Sequence, residues 1–165
     1  MKKTVIAIVF LFLMKPLIAQ NNFEVPKDYK LETASDFSNH EQDVVKGVGW
    51  LLKSPVSNDK TKRKDVSAFL MKWLTGSPDV SIELTQEVVT FMDCSDCLLM
   101  FMGGWAKYAI ETKDKDKLKG NLAGVESVIE LYKNNKDAIG KNKSIEKYIK
   151  LQEKNKLEKY LKSKL

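Results

Sequence analysis

The chain has 165 residues, a formal net charge of +6, two cysteines and a single histidine. This length suits one domain that buries its own hydrophobic core without disulfide staples. Two cysteines and one histidine are too few for a structural zinc site, which takes four ligands of these types.

The N-terminal segment has the pattern of a secretory signal peptide. A basic start, an apolar run over residues 4–14 and a small residue, Ala19, at the exit are the three parts of that pattern. The run is shorter than the roughly 20 apolar residues that span a bilayer, and Lys15 interrupts it, so an uncleaved anchor is the less favoured alternative. We therefore predict a signal peptide over residues 1–19, cleaved before Gln20, and a mature protein that is periplasmic or secreted.

Removal of this signal changes the charge of the protein. Three lysines leave with it, so the net charge falls from +6 to +3, with −4 on residues 20–112 and +7 on residues 113–165. The basic tail contains only lysines, interleaved with acidic residues, and lacks the arginines that bind phosphate in a bidentate manner. We expect a solvated helical face and no nucleic-acid partner.

The mature chain is not expected to keep a stable membrane anchor. No cysteine follows the cleavage site to accept a lipid, and no later run is apolar enough to span a membrane. Residues 20–165 are therefore predicted to form a single domain, which begins with an extended arm over residues 20–35. Pro26 breaks any helical period there. Alternating apolar residues could place one side of the arm against the body: Phe23, Val25, Tyr29 and Leu31.

Residues 36–165 are predicted to form a helical body. The segment Ser38–Glu41 reads as a capping box that begins a first helix, which ends before Pro55. A second helix, with a clear apolar stripe, runs from near Asp59 to Gly76.

The assignment of the later helices depends on weaker patterns. Residues 81–92 are rich in β-branched side chains but fit a helical spacing better than an alternating one, so they are assigned to a helix. A further helix is predicted over residues 118–135. The last one, capped by Ser144, is predicted over residues 145–161 with a fraying end.

The most apolar stretch, residues 95–112, predicts a buried central helix, because residues 98–110 are apolar on most of the circumference. Gly103 and Gly104 interrupt it at about 1 kcal/mol each relative to alanine, so we expect them to let a neighbouring backbone approach closely. The fold class is therefore all-α: a single domain of five or six helices packed around this central helix.

Cys94 and Cys97 form the only pattern with direct chemical content. Two cysteines this close in an exported protein tend to oxidise, and a helix start allows the approach of their Cα atoms that a disulfide needs. A structural disulfide or an inert buried pair is the leading interpretation. A redox-active dithiol is an alternative, although Asp93 and Asp96 favour the protonated thiol and a thioredoxin-like βαβ context is absent. A metal site is the weakest alternative, and we predict no metal and no cofactor.

No catalytic residue is predicted. His40 is the default general base as the only histidine, but no motif ties a nucleophile to it. Acidic residues cluster over residues 28–43, and nothing identifies two that face each other across a cleft. Enzymatic activity is left open, with a small hydrolase of unidentified site as the third functional hypothesis.

Aromatic side chains on the helical stripes are expected first of all to fill the core. One segment nevertheless suggests a ligand-binding groove, because two glycines beside a tryptophan leave room for another helix or for a ligand. The candidate ligand-binding residues are Phe101, Gly103, Gly104 and Trp105.

Three short segments carry a resemblance: Glu24–Tyr29, Phe101–Trp105 and Asn121–Gly124. They resemble small exported helical proteins of Bacteroidota-type bacteria, a group with no known function. The resemblance implies a bacterial origin and an exported helical domain, and it assigns no catalytic or binding residue.

The leading functional hypothesis is an exported, non-enzymatic protein of a bacterial envelope that binds an unknown protein partner or a small apolar ligand. It predicts an apolar groove beside Gly103, Gly104 and Trp105, or else an exposed apolar patch. The alternative is a periplasmic thiol/disulfide protein that uses Cys94 and Cys97.

Overall fold

The computed structural model describes residues 22–165, and the predicted signal peptide lies outside the described residues. This part of the chain contains seven α-helices and no β-strand, which confirms the all-α prediction with one helix more than expected. The helices are α1 (Ala34–Asn39), α2 (Glu41–Lys53), α3 (Lys60–Gly76), α4 (Ser95–Thr112), α5 (Lys117–Ile139), α6 (Lys143–Glu153) and α7 (Leu157–Lys162).

The first predicted helix is in fact two helices, α1 and α2, which meet at His40. The capping box predicted at Ser38–Glu41 is wrong. Thr33 is the N-cap of α1: its hydroxyl accepts the backbone N–H of Asp36 at 3.3 Å, and the Asp36 carboxylate accepts the backbone N–H of Thr33 at 2.8 Å. Thr33 has the extended backbone that an N-cap needs, whereas Ser38 lies inside the helix and donates to the carbonyl oxygen of Ser35.

The segment 77–94, here called the strap, is not helical, which corrects the helix predicted over residues 81–92. It crosses the helical body and buries three apolar side chains, Val88, Val89 and Phe91. β-Branched residues lose side-chain freedom in a helix, so tertiary packing of these side chains overrides the weak helical pattern.

Helix α4 has the predicted bounds and is the central helix. It packs against α2 and α3 and most extensively against α5. Within residues 22–165, no helix combines the length and the apolar character that crossing a membrane requires.

The predicted last helix is also two helices, α6 and α7. Asn142 rather than Ser144 caps α6, since its side-chain oxygen accepts the backbone N–H groups of Ser144 and Ile145, each at 3.1 Å. The predicted fraying is wrong, because Leu157 and Leu161 are buried where α7 packs against α5. Burial of two leucines holds a helix of six residues that would be unstable alone.

The arm lies against the body as predicted. Phe23 and Leu31 are buried, and Val25 and Tyr29 pack partly buried against the same core. The Lys62 ammonium of α3 holds the start of the arm by contacts to the Asn22 side-chain oxygen at 2.8 Å and the Glu24 carboxylate at 2.5 Å.

Candidate functional site

The two glycines of α4 are sites of close helix packing. A Cβ atom added at Gly103 would lie 2.9 Å from a methyl group of Val48 in α2. One added at Gly104 would lie 2.7 Å from the carbonyl oxygen of Ala123 in α5 and would overlap the Ser127 hydroxyl. The expected close approach of a neighbouring backbone is therefore confirmed at Gly104, whereas Gly103 meets the side chain of Val48. Neighbouring helices fill the space over both glycines that the predicted groove needed, and Trp105 instead lines a separate cavity of about 170 Å³ beside the strap.

The two aromatic residues predicted to line that groove are buried in the same helix contact. Phe101 has no exposed surface and Trp105 is 3% exposed, and the two rings pack edge to face with centroids 6.0 Å apart. Each ring lies against a glycine of α5: Trp105 covers Gly120, and Phe101 covers Gly124. The Gly-x-x-x-Gly spacing in α5 is the sequence signal that could have identified this contact.

The cysteine pair lies where the strap meets α4. Cys94 and Cys97 form a disulfide, with their Cα atoms 5.1 Å apart. Cys94 is the N-cap of α4, and its sulfur accepts the backbone N–H of Cys97 at 3.2 Å. Cys97 is fully buried, whereas Cys94 is partly exposed. Cys94 is therefore the more exposed residue of the pair.

A buried arginine supports this turn. Arg63 of α3, the one arginine of the chain, is 6% exposed. It donates to the carbonyl oxygens of Leu51 at 3.2 Å and Ser54 at 2.8 Å, and its guanidinium lies 3.3 Å from a carboxylate oxygen of Asp96. It thus connects the end of α2 to the first turn of α4. Arg63 is not among the residues predicted from the sequence, although a single arginine among 27 lysines distinguishes this position.

An open cavity of about 310 Å³ lies between α3 and α4, beside the cysteine pair. Four of its seven lining side chains are apolar and two of these are methionines, so we call it the methionine groove. Met71 is 39% exposed there. Ser95 and Asp96, the residues between the two cysteines, form part of the wall. The lining residues are Ser67, Met71, Ser95, Asp96, Leu98, Leu99 and Met102.

His40 occupies a packed position. Its Nδ1 atom lies 3.0 Å from a carboxylate oxygen of Asp43. Its ring meets Tyr29 and Phe69 edge to face, with centroids 6.3 and 6.0 Å away. Within residues 22–165, no group of three or more histidine, cysteine, aspartate or glutamate side chains is placed to hold a metal ion.

The strongest electrostatic perturbation lies on the connector between α4 and α5. The Tyr108 hydroxyl donates to the Asp114 carboxylate at 2.5 Å, and the backbone N–H of Asp116 and the Lys119 ammonium contact the same group at 2.9 and 3.1 Å. These donors lower the pKa of Asp114 to about 2, and the same contact raises the pKa of Tyr108. The carboxylate is ionised at neutral pH, and its hydrogen bonds join the connector to α4 and α5.

Comparison of the chain with protein-family models, with curated proteins and with solved structures found no match. Two features lie side by side and have chemical content: the methionine groove and the disulfide at its edge, of which Cys94 is the more exposed residue.

Proposed function

We propose that this is an exported bacterial protein that binds an apolar segment of a partner polypeptide in the methionine groove. The N-terminal pattern of a basic start, a short apolar run and Ala19 supports export. The observation that carries the binding proposal is the open, mostly apolar cavity between α3 and α4.

The size of the groove favours polypeptide side chains over a small free ligand. Small-molecule pockets run from roughly 300 to 1,000 Å³ and bury most of their ligand. The methionine groove, at about 310 Å³, is at the lower limit and is open to solvent. It therefore suits one or two apolar side chains of a segment that otherwise lies on the surface. Met71 and Met102 adapt to different side-chain shapes because methionine is unbranched and flexible.

The charge at the rim indicates the second property of the segment. The Asp96 side chain is 37% exposed at the groove, and Asp93 is exposed just before Cys94. A partner that brings lysine or arginine next to its apolar side chains would complement these carboxylates. The proposed occupant is therefore a short apolar segment flanked by basic residues.

Binding can be measured through the methionine methyl groups of the oxidised chain 20–165, labelled with ¹³C. The probe is a synthetic decapeptide with a central Leu-Phe pair and lysines on both sides. We expect its titration to shift the methyl signals of Met71 and Met102. Met100, 1% exposed, and Met92, 59% exposed but outside the groove, should not respond.

A matched pair of variants locates the site. Met71→Lys places a charge in the groove and should weaken peptide binding at least tenfold, whereas Met92→Lys should leave it unchanged. Binding of a peptide with Ser-Ser in place of Leu-Phe at equal affinity would contradict the proposal. So would equal weakening by the two variants, or the absence of any shift at millimolar peptide.

A further inference from the structure

We propose that the Cys94–Cys97 disulfide is redox-active and oxidises a pair of thiols in a polypeptide that lies in the methionine groove. This inference depends on the proposed binding function for the position of the substrate. The chemistry of the disulfide depends on a separate set of observations.

The first observation is the unequal exposure of the two cysteine residues. Cys94 is partly exposed at the N-cap of α4, while Cys97 has no exposed surface. A thiolate attacks a disulfide at the sulfur it can reach, so attack takes place at Cys94 and Cys97 is the leaving group.

The second observation is the position of the pair relative to the groove. Ser95 and Asp96 separate the two cysteines and also line the groove. A segment lying in the groove therefore passes next to the cysteine turn, and its apolar side chains contact Leu98 and Met102, one and two turns further along α4. A substrate cysteine next to those side chains would lie close to Cys94, which precedes Ser95 in the chain.

The exchange balances without any other reactant. A substrate thiolate attacks the sulfur of Cys94, the bond to Cys97 breaks, and Cys97 takes up the proton that the substrate thiol released. The product is a mixed disulfide between Cys94 and the substrate. The second substrate thiol, as its thiolate, then attacks the substrate sulfur of that bond, and Cys94 leaves and takes up the second proton. The substrate loses two electrons and two protons, and the protein gains both.

The surroundings of Cys94 assist its departure as a thiolate. It lies at the N-terminus of a helix of 18 residues, and the backbone N–H of Cys97 points at its sulfur at 3.2 Å. Both features favour negative charge on the sulfur. The Asp93 and Asp96 carboxylates oppose this, and the Arg63 guanidinium offsets the charge of Asp96 alone. The arginine is thus a positioning residue for the cysteine turn.

A single-turnover experiment tests the reaction. Oxidised chain 20–165 is mixed with one equivalent of the Leu-Phe peptide carrying two cysteines, and the products are alkylated and weighed by mass spectrometry. We expect one disulfide in the peptide and two alkylated thiols in the protein. The rate should be at least tenfold higher than with the Ser-Ser peptide carrying the same cysteines. Met71→Lys should remove this advantage, and Met92→Lys should keep it.

Two single-cysteine variants identify the attacked sulfur. Cys97→Ser and Cys94→Ser are each converted to a mixed disulfide with thionitrobenzoate, whose release by the peptide is followed by absorbance. Release from Cys94 in Cys97→Ser should be at least tenfold faster than release from Cys97 in Cys94→Ser. Circular dichroism and the unfolding midpoints establish that both variants fold. Equal release rates in two folded variants would overturn the assignment of Cys94.

The outcomes separate this inference from the binding proposal. If the protein keeps its disulfide with the dithiol peptide while the cysteine-free peptide still shifts Met71 and Met102, the redox inference is overturned and binding stands. If the disulfide exchanges equally fast with the Leu-Phe and Ser-Ser peptides, the groove does not select the substrate, and that overturns the inference as stated.

Discussion

At the scale of single residues, glycines decide how closely the central helices pack. Gly104 of α4 lies against α5, and Gly120 and Gly124 of α5 accept the rings of Trp105 and Phe101. Glycines of α5 thus lie opposite the large aromatic rings of α4, and a glycine of α4 lies opposite the backbone of α5. The close approach at Gly104 could be predicted from α4 alone, whereas the reciprocal glycines of α5 require knowledge of which helix packs against which.

Gly104→Ala should destabilise the protein by about 1–3 kcal/mol, the usual range for overpacking. The added methyl would meet the carbonyl oxygen of Ala123, a backbone atom that cannot move aside, at 2.7 Å. This outweighs the roughly 1 kcal/mol that alanine adds to a helix. Urea unfolding followed by circular dichroism measures the difference.

Gly47→Ala is the matched control, because its added methyl would meet only the ends of the Phe23 and Leu70 side chains, at 3.2 and 3.4 Å. Those side chains can shift, so this change should be nearly neutral or stabilising. A Gly104→Ala variant as stable as the parent would contradict the packing argument, as would an equal loss in Gly47→Ala.

At the scale of elements, the strap is the part of the fold that local pattern describes least well. The spacing of its β-branched residues indicates neither a helix nor a strand clearly. In the structure, two of these side chains, Val88 and Val89, are buried in the core. Its middle is held from a distant helix: Tyr148 of α6 donates its hydroxyl to the carbonyl oxygen of Val88 at 2.6 Å. Burial also raises the pKa of Tyr148, which keeps the donor protonated.

Tyr148→Phe should lower the free energy of unfolding by about 0.5–1.5 kcal/mol, because the carbonyl oxygen of Val88 loses one of its two hydrogen-bond donors and keeps only the backbone N–H of Thr90 at 3.0 Å. Amide exchange in the strap should accelerate in the same variant. Tyr160→Phe is the control: its hydroxyl accepts only the exposed Lys147 ammonium at 2.8 Å, so its removal should change stability by less than about 0.5 kcal/mol. Equal effects of the two changes would mean that the strap does not depend on this hydrogen bond.

At the scale of the whole molecule, the arm closes the core next to the predicted cleavage site. Phe23 is 6% exposed and lies against Gly47, with its ring centroid 6.4 Å from that of Phe69. Cleavage before Gln20 would leave three residues ahead of Phe23, so the mature domain would keep this side chain. The proposed cleavage before Gln20 is therefore compatible with the packing of the arm against the core.

The corresponding prediction is that the full chain, expressed in a bacterium with an outer membrane, is recovered from the periplasm or the medium with Gln20 as its first residue. N-terminal sequencing and intact mass measure this directly. A chain with Lys15→Leu, which lengthens the apolar run, is expected to be cleaved less completely, because that run then approaches an anchor. Recovery of the parent with residues 1–19 attached, or beginning beyond Phe23, would contradict the proposal.

The sequence patterns that predicted helix bounds correctly are local ones. The bounds of α3 follow from apolar spacing between its N-cap Asp59 and its last residue Gly76, and those of α4 follow from the extent of its apolar run. The positions of caps were harder, because both Thr33 and Ser38 have suitable side chains. Only the backbone conformation decides between them.

The helical class of this protein, its central helix and the position of Cys94 and Cys97 at a helix start could all be predicted from the sequence. These properties depend on spacing within one segment. Only the tertiary structure shows which apolar helix faces are buried: α5 fills the space beside Gly104, while the methionine groove between α3 and α4 stays open. This is because burial of a helix face depends on contacts with segments far apart in the chain, and the spacing of apolar residues within one segment does not show which segments come together.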